Sequence, residues 1–270
     1  VSPIRFVTLN VSDLDRSLDF YTRLLDLTRV PAPGTDGREA WISAGPTVLR
    51  LHEVPDGRAP GWVGDDLQKG FRHIGLKVVD LDARVARLHD EGVRFHLEPL
   101  DAAGGVRIAF FYDPDGVLLE FIQGDLQYDV VGDEALVAAE RALPVPATPR
   151  FDHVAVTVDG LQDTIDQYAA AGFGVAGRLF QPQDPRGFEI TYLHAGGTVL
   201  EVFTYAVPKQ DSPWRPDADL LGFRAVGLTD PDPDALVARL TAAGAKPVSL
   251  ATPCLLTDRE GVPLLVEGSR

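Results

Sequence analysis

The sequence predicts an α+β fold assembled from four copies of one strand–helix–strands unit. Three observations carry this, and the first two lie in the stretch 70–124. The run His73-Ile74-Gly75-Leu76-Lys77-Val78 alternates, with Ile74, Leu76 and Val78 on one face and His73, Gly75 and Lys77 on the other, the period of a strand. A helical segment over 81–89 follows, with Gly92 placed as its C-cap. Second, the turn Asp113-Pro114-Asp115-Gly116 launches a strand over 117–122, on which Leu119 and Phe121 share one face and Glu120 takes the other. Third, the pattern repeats: GFRHIGL at Gly70 returns as GFRAVGL at Gly222.

The first unit opens with a strand over 6–11 and continues SDLDRSLDFYTRLLDL, where Ser12 or Asp13 can cap a helix with Leu14, Leu18, Tyr21 and Leu25 as its apolar stripe. It closes with a strand over 47–52. The second unit is the stretch above. Residues 125–150 read as a connector: a helix candidate, DEALVAAERAL, then Pro144, Pro146 and Pro149. The third unit has a strand over 153–158, the helix LQDTIDQYAAAG and a strand over 198–203. The fourth has a strand over 225–229, the helix PDPDALVARLTAAG and a strand over 262–266. The expected halves are therefore 1–124 and 151–270.

A net charge of -15 and a pI near 4.7 argue against nucleic acid or an anionic membrane as partner, because the overall field repels phosphate. No apolar run approaches the roughly 18 residues of a membrane span, and VSPIRFVTLN has no signal-peptide pattern. The single cysteine, Cys254, excludes an intrachain disulfide and fits a reducing compartment, so a cytoplasmic location is expected.

Aligning the four units turns the repeat into chemistry. The first-strand position holds Phe6, His73, His153 and Ala225, and the last-strand position holds Arg50, Glu120, Glu201 and Leu265. Each is followed by Val, Ile, Leu or Phe, so the aligned side chains should point away from the helix-covered face. Units two and three each carry a His and a Glu, and units one and four carry neither. If units two and three pair, one four-ligand site is complete, and units one and four form a matching hollow lined by Phe6, Arg50, Ala225 and Leu265.

The segments SDLDRSLDFYTRLL, GFRHIGLKVVDLD, DPDGVLLEF and GGTVLEVF resemble the vicinal-oxygen-chelate superfamily, which includes glyoxalase I, methylmalonyl-CoA epimerase, extradiol dioxygenases and bleomycin-type resistance proteins. The resemblance covers nearly all of the chain outside the connector. It implies βαβββ units paired into curved, open mixed sheets. It maps the metal ligands of glyoxalase I-like members onto His73, Glu120, His153 and Glu201, with the second set of positions departing from the pattern. Two imidazoles and two carboxylates on rigid strands suit one divalent ion such as Zn²⁺, Ni²⁺, Co²⁺, Mn²⁺ or Fe²⁺. The implied activity is that of a lyase or isomerase of glyoxalase or epimerase type. In it the metal chelates a small substrate with neighbouring oxygens and a carboxylate moves the proton. Glu120 is expected as the proton carrier, and Glu201 as a ligand or the opposite-face base. Two alternatives stand beside this reading: a resistance protein that sequesters a small molecule between its sheets, and a non-haem iron dioxygenase. The dioxygenase pattern of two His and one carboxylate is one Glu short of this set.

Outside the repeat positions, His52, His89, His96 and His194 are expected to be solvated or packed and Asp113 and Asp258 to fix turns; at its repeat position Arg50 is expected to form an ion pair. Trp41, Trp62, Trp214, Tyr112 and Tyr192 are candidates to line a substrate cup. The polar loops 52–70 and 206–222 are candidates to cover it.

Overall fold

The computed structural model describes residues 3–32, 38–144, 147–251 and 253–269. Pro146 of the expected connector lies outside them. Unit one comprises β1 (Ile4–Val11), α1 (Leu14–Asp19) continued by a π-helical turn (Phe20–Leu24), β2 (Thr28–Val30), β3 (Glu39–Ala44) and β4 (Thr47–Glu53). Unit two comprises β5 (Gly70–Lys77), α2 (Leu81–Asp90), β6 (Phe95–Asp101), β7 (Arg107–Tyr112) and β8 (Leu118–Gln123). Two connecting elements follow, β9 (Val130–Val131) and α3 (Glu134–Arg141). Unit three has β10 (Arg150–Thr157), α4 (Leu161–Ala169), β11 (Gly174–Gln181), β12 (Phe188–Ala195) and β13 (Thr198–Thr204). Unit four has β14 (Gly222–Asp230), α5 (Pro233–Ala242), β15 (Lys246–Ser249), β16 (Cys254–Thr257) and β17 (Pro263–Gly268).

Helix starts follow the sequence. Asp13, Asp80, Asp133 and Asp232 each accept a backbone N–H of the first turn, worth about 1 kcal/mol apiece. The first of these settles the choice between Ser12 and Asp13; Ser12 instead donates to Asp115. The stripe of helix one holds for Leu14, Tyr21 and Leu25, while Leu18 is only partly buried, because the helix widens into the π turn at Phe20.

Within each unit the first strand runs parallel to the last, and the middle strands add antiparallel beyond it. Units then pair through their first strands, antiparallel: β5 with β10, and β1 with β14. Among the described residues this gives a nine-stranded sheet, β6-β7-β8-β5-β10-β13-β12-β11-β9, and an eight-stranded sheet, β15-β16-β17-β14-β1-β4-β3-β2. Each sheet thus combines one unit from each half of the chain, two with three and one with four.

The apolar faces of the strands and the helices share one core. The two sheets meet where Phe71 and Phe223, the echoing phenylalanines of units two and four, stack with centroids 3.9 Å apart and rings within 4° of parallel. Trp214 packs edge-on against both rings and is buried here. Asp113 and Asp258 do fix turns, accepting from Val117 and Val262 backbone N–H groups. Each also accepts a tyrosine hydroxyl from the preceding unit: Tyr21 reaches Asp113 at 2.8 Å and Tyr168 reaches Asp258 at 3.1 Å. Among the described residues no helix is long and apolar enough to cross a membrane.

Candidate metal centre

The register of the central strands decides what meets on the concave face of the nine-stranded sheet. Across β8, β5 and β10, Glu120, Gly75 and His153 lie in one row; across β5, β10 and β13, His73, Ala155 and Glu201 lie in the next. A small residue separates His from Glu in each row, which leaves room for the imidazoles to lean inward. Gly75 is required to be small: a Cβ there would run into the His153 ring.

The four residues predicted from the repeat are all brought together and all buried. Nε2 of His73 lies 3.0 Å from Nε2 of His153, 3.4 Å from Glu120 Oε2 and 3.3 Å from Glu201 Oε2. Nε2 of His153 lies 3.0 Å from Glu120 Oε2 and 3.3 Å from Glu201 Oε2. Four donors tetrahedrally arranged around an ion at 2.0–2.1 Å would be about 3.4 Å apart, so these separations fit a divalent ion. Charge fits as well: two neutral imidazoles and two carboxylates sum to -2, which a divalent cation balances. A buried polar cluster of this density is costly without such compensation. Glu201 Oε2 is buried with no hydrogen-bond partner among the described residues, a lone pair that a cation would satisfy.

Burial opposes the charge of Glu120, but hydrogen bonds from the two imidazoles outweigh it and hold its carboxyl down at about 2. Burial likewise opposes the charge of His153, yet the charges of Glu201, Asp152 and Glu120 raise its pKa well above the usual value. Asp152, partly buried, accepts from His153 Nδ1 at 3.0 Å; desolvation opposes its charge, but that contact outweighs it and holds the carboxyl down at about 2. Tyr192 stands opposite Glu201 in the register of β12 and β13, and burial followed by that carboxylate's charge pushes its hydroxyl pKa far up.

His73, Glu120 and Glu201 of the cluster line a cavity of about 600 Å³ whose walls include Trp62, Arg72, Phe110, Arg186, Tyr192 and Phe203. Of the five aromatic candidates, Trp62 and Tyr192 line it. Tyr112 stands behind the wall and bonds His96, Trp214 packs between the sheets, and Trp41 lies on the other sheet beneath Arg50. The first loop does cover the cavity, through Trp62, Gly64, Asp65 and Asp66. The second does not line it. Residues 206–222 pack instead along the first loop, with Gln210 bridged to Gln68 and Leu220 to Arg58, because both loops present free backbone edges to each other.

Sequence reasoning missed three residues that line the cavity, Arg72, Arg186 and Leu126. Arg72 and Arg186 grip Asp66 from opposite units at 2.6 and 3.2 Å, tying the covering loop across the cavity mouth. Leu126 of the connecting segment lines the cavity, and Tyr128 seats its ring over Gly177, where a Cβ would collide with it. Of the remaining histidines, His89 pairs with Glu98 and His52 with Glu39 near the surface, while His194 is buried beside Tyr128, where burial lowers its pKa to about 4. None joins the cluster.

The second hollow is filled. The Phe6 ring lies over Gly227, Arg50 stacks 3.4 Å from the Phe6 centroid, and its guanidinium makes a two-pronged bond to Glu267 at 2.6 and 3.0 Å. Ala225 and Leu265 occupy the two remaining equivalent positions, Ala225 fully buried.

A sequence profile of the Glyoxalase/Bleomycin resistance protein/Dioxygenase superfamily matches residues 4–121 and 150–262. A protein of Synechocystis sp. named probable lactoylglutathione lyase is 32% identical over 131 residues, spanning 45% of this chain and 95% of its own. Lactoylglutathione lyase of Pseudomonas aeruginosa is 34% identical over 145 residues, spanning 44% of this chain and 80% of its own. Glyoxalase I from Zea mays superposes with a TM-score of 0.70 at 21% identity, covering 98% of this chain and 92% of that one, a likeness of fold.

Proposed function

The chain belongs to the Glyoxalase/Bleomycin resistance protein/Dioxygenase superfamily, and from that footing we propose that it is a metal-dependent lyase or isomerase of glyoxalase type. The observation that carries the reading is the convergence of two His Nε2 and two Glu Oε2 atoms at the edge of a cavity of about 600 Å³. His73, Glu120, His153 and Glu201 would hold one divalent ion. Such an ion would supply Lewis-acid stabilisation of the charge that develops on substrate oxygens. The cavity has room for a small substrate with neighbouring oxygens. Lactoylglutathione, from the name its relatives carry, is the first compound to assay.

The proton step falls to a carboxylate. Across the sheet Glu201 is paired with Tyr192, whose hydroxyl can hold it, whereas Glu120 is paired with the apolar Phe110 and its polar contacts among the described residues are the two imidazoles. Glu120 is therefore the freer of the two to swing toward a carbon next to a substrate carbonyl, take its proton and return it to the neighbouring carbon. Glu201 stays a ligand, or serves as base on the opposite face. The fourth donor argues against the dioxygenase pattern of two His and one carboxylate. A cytoplasmic location and the division into halves 1–124 and 151–270, joined by 125–150, are part of the same proposal.

The test is Glu120→Gln, which keeps shape and a weak ligand oxygen but cannot accept the proton. It should retain metal while turnover and solvent-deuterium incorporation fall about 10²–10⁴-fold. Normal turnover in Glu120→Gln with a dead Glu201→Gln would reverse the roles. Full activity in both would sink carboxylate proton transfer, and no turnover by the unaltered, metal-loaded chain would favour a sequestering protein.

A further inference from the structure

The two histidines of the cluster are inequivalent, and the difference arises one residue upstream of each. Along β10, Phe151 faces Leu76 and His153 faces Gly75, so Asp152 is an extra residue in that strand. Along β5 the extra residue is Arg72, between Phe71 opposite Val156 and His73 opposite Ala155. A bulge takes its extra side chain out of the regular alternation and re-aims it. On β10 that brings Asp152 Oδ2 to 3.0 Å from His153 Nδ1, with the carboxylate only 12% exposed. On β5 it sends Arg72 into the cavity, over the Phe203 ring and onto Asp66. His73 Nδ1 is left buried with no hydrogen-bond partner among the described residues.

An imidazole ligates through the nitrogen that carries no proton, so with Nε2 of both rings aimed into the cluster, each Nδ1 must carry the hydrogen. Asp152 accepts that hydrogen from His153, fixing both tautomer and ring rotation; nothing does so for His73. We infer that Asp152 is a positioning residue that makes His153 the stronger imidazole ligand of the site and leaves His73 as the one that lets go first. The inference rests on the metal reading above and deepens it by ranking the ligands. Conserving the bulge but changing its occupant would then tune metal affinity without touching any ligand.

The experiment titrates the full-length chain with Zn²⁺ against a chelator of known affinity, alongside the thermal midpoint of the metal-free protein. Asp152→Ala should lower Zn²⁺ affinity about 10–100-fold, the usual cost of losing a partner behind a ligating histidine. Asp152→Asn keeps an acceptor oxygen without the charge and should fall between, with the metal-free midpoint unchanged. His153→Ala should cost at least about 10-fold more affinity than His73→Ala. Asp152→Ala within threefold of the unaltered chain overturns the inference, as does an affinity loss in both Asp152 variants that follows a fallen metal-free midpoint. An unaltered chain that takes up no Zn²⁺ overturns the metal reading itself; uptake with an indifferent Asp152→Ala overturns the ranking alone.

Discussion

The two sheets set one backbone plan against two side-chain programmes. In the nine-stranded sheet the central rows read Glu120–Gly75–His153 and His73–Ala155–Glu201. In the eight-stranded sheet the same positions read Leu265–Gly227–Phe6 and Ala225–Thr8–Arg50. The glycine survives in both, because in both a ring from the neighbouring strand lies over it, His153 in one and Phe6 in the other. What differs is the content of the hollow. One gathers four buried donors under an open cavity, and the other is plugged by a phenyl ring, a stacked guanidinium and the Arg50–Glu267 pair. The comparison teaches that the curved, paired sheet supplies a place, and that four side chains decide whether it is a site or a piece of core.

The sharpest way to break the comparison is to add one methyl group to each glycine. Gly75→Ala should push the His153 ring aside and cut metal affinity at least about 10-fold, on the scale of disturbed ligand support, in a chelator-competition titration. Gly227→Ala should leave that titration unchanged and cost about 1–3 kcal/mol in a denaturant melt, the cost of overpacking against Phe6.

Arg50→Leu tests whether the plug of the second hollow is structural. It leaves Glu267 mostly buried without its partner, so unfolding should become easier by about 1.5–3 kcal/mol, with metal affinity untouched. Loss of metal or of turnover in this variant would mean that the two hollows communicate.

The smallest effect concerns the turn carboxylates that each half uses alike. Burial pushes Asp113 up to about 6 and Asp258 up to about 7, against the hydrogen bonds each accepts. The folded state therefore holds these protons more tightly than the unfolded chain, whose carboxyls titrate near the ordinary value of about 3.9. Their contribution to stability is full below about pH 4 and is lost as pH rises through the folded values. The difference in unfolding free energy between the unaltered chain and Asp258→Asn should fall by about 1–3 kcal/mol from pH 4 to pH 7. A flat difference would show that the Tyr168 and backbone donors keep Asp258 ionised throughout.

Much of this arrangement is legible in the chain, for a definite physical reason. A strand's period of two puts His73 and Ile74, or Glu201 and Val202, on opposite faces, so an apolar neighbour betrays which way a polar residue points. That made the four cluster positions readable, and the joint absence of His and Glu from units one and four pointed to the pairing of units two and three. The bulges were not readable, because Arg72 and Asp152 become extra residues only in the register of two strands about 80 positions apart. The motifs Phe71-Arg72-His73 and Phe151-Asp152-His153, with a charged residue ahead of each histidine, were the signal available. The loop 206–222 was misplaced because polar, proline-bearing composition marks a surface segment without saying what it rests on. The connecting segment likewise hid its part in the cavity wall, since nothing in its composition says that Leu126 turns toward the cavity or that Tyr128 packs over Gly177.

The central claim, one complete site per chain built across units two and three, is tested most directly by metal stoichiometry. Full-length protein, stripped, reconstituted with Zn²⁺ and freed of excess ion, should carry one equivalent per chain by elemental analysis, since a single four-donor group occurs among the described residues. Two equivalents would show a second metal site outside this cluster and contradict the claim, and none would show that the His73, Glu120, His153 and Glu201 cluster is not a metal centre.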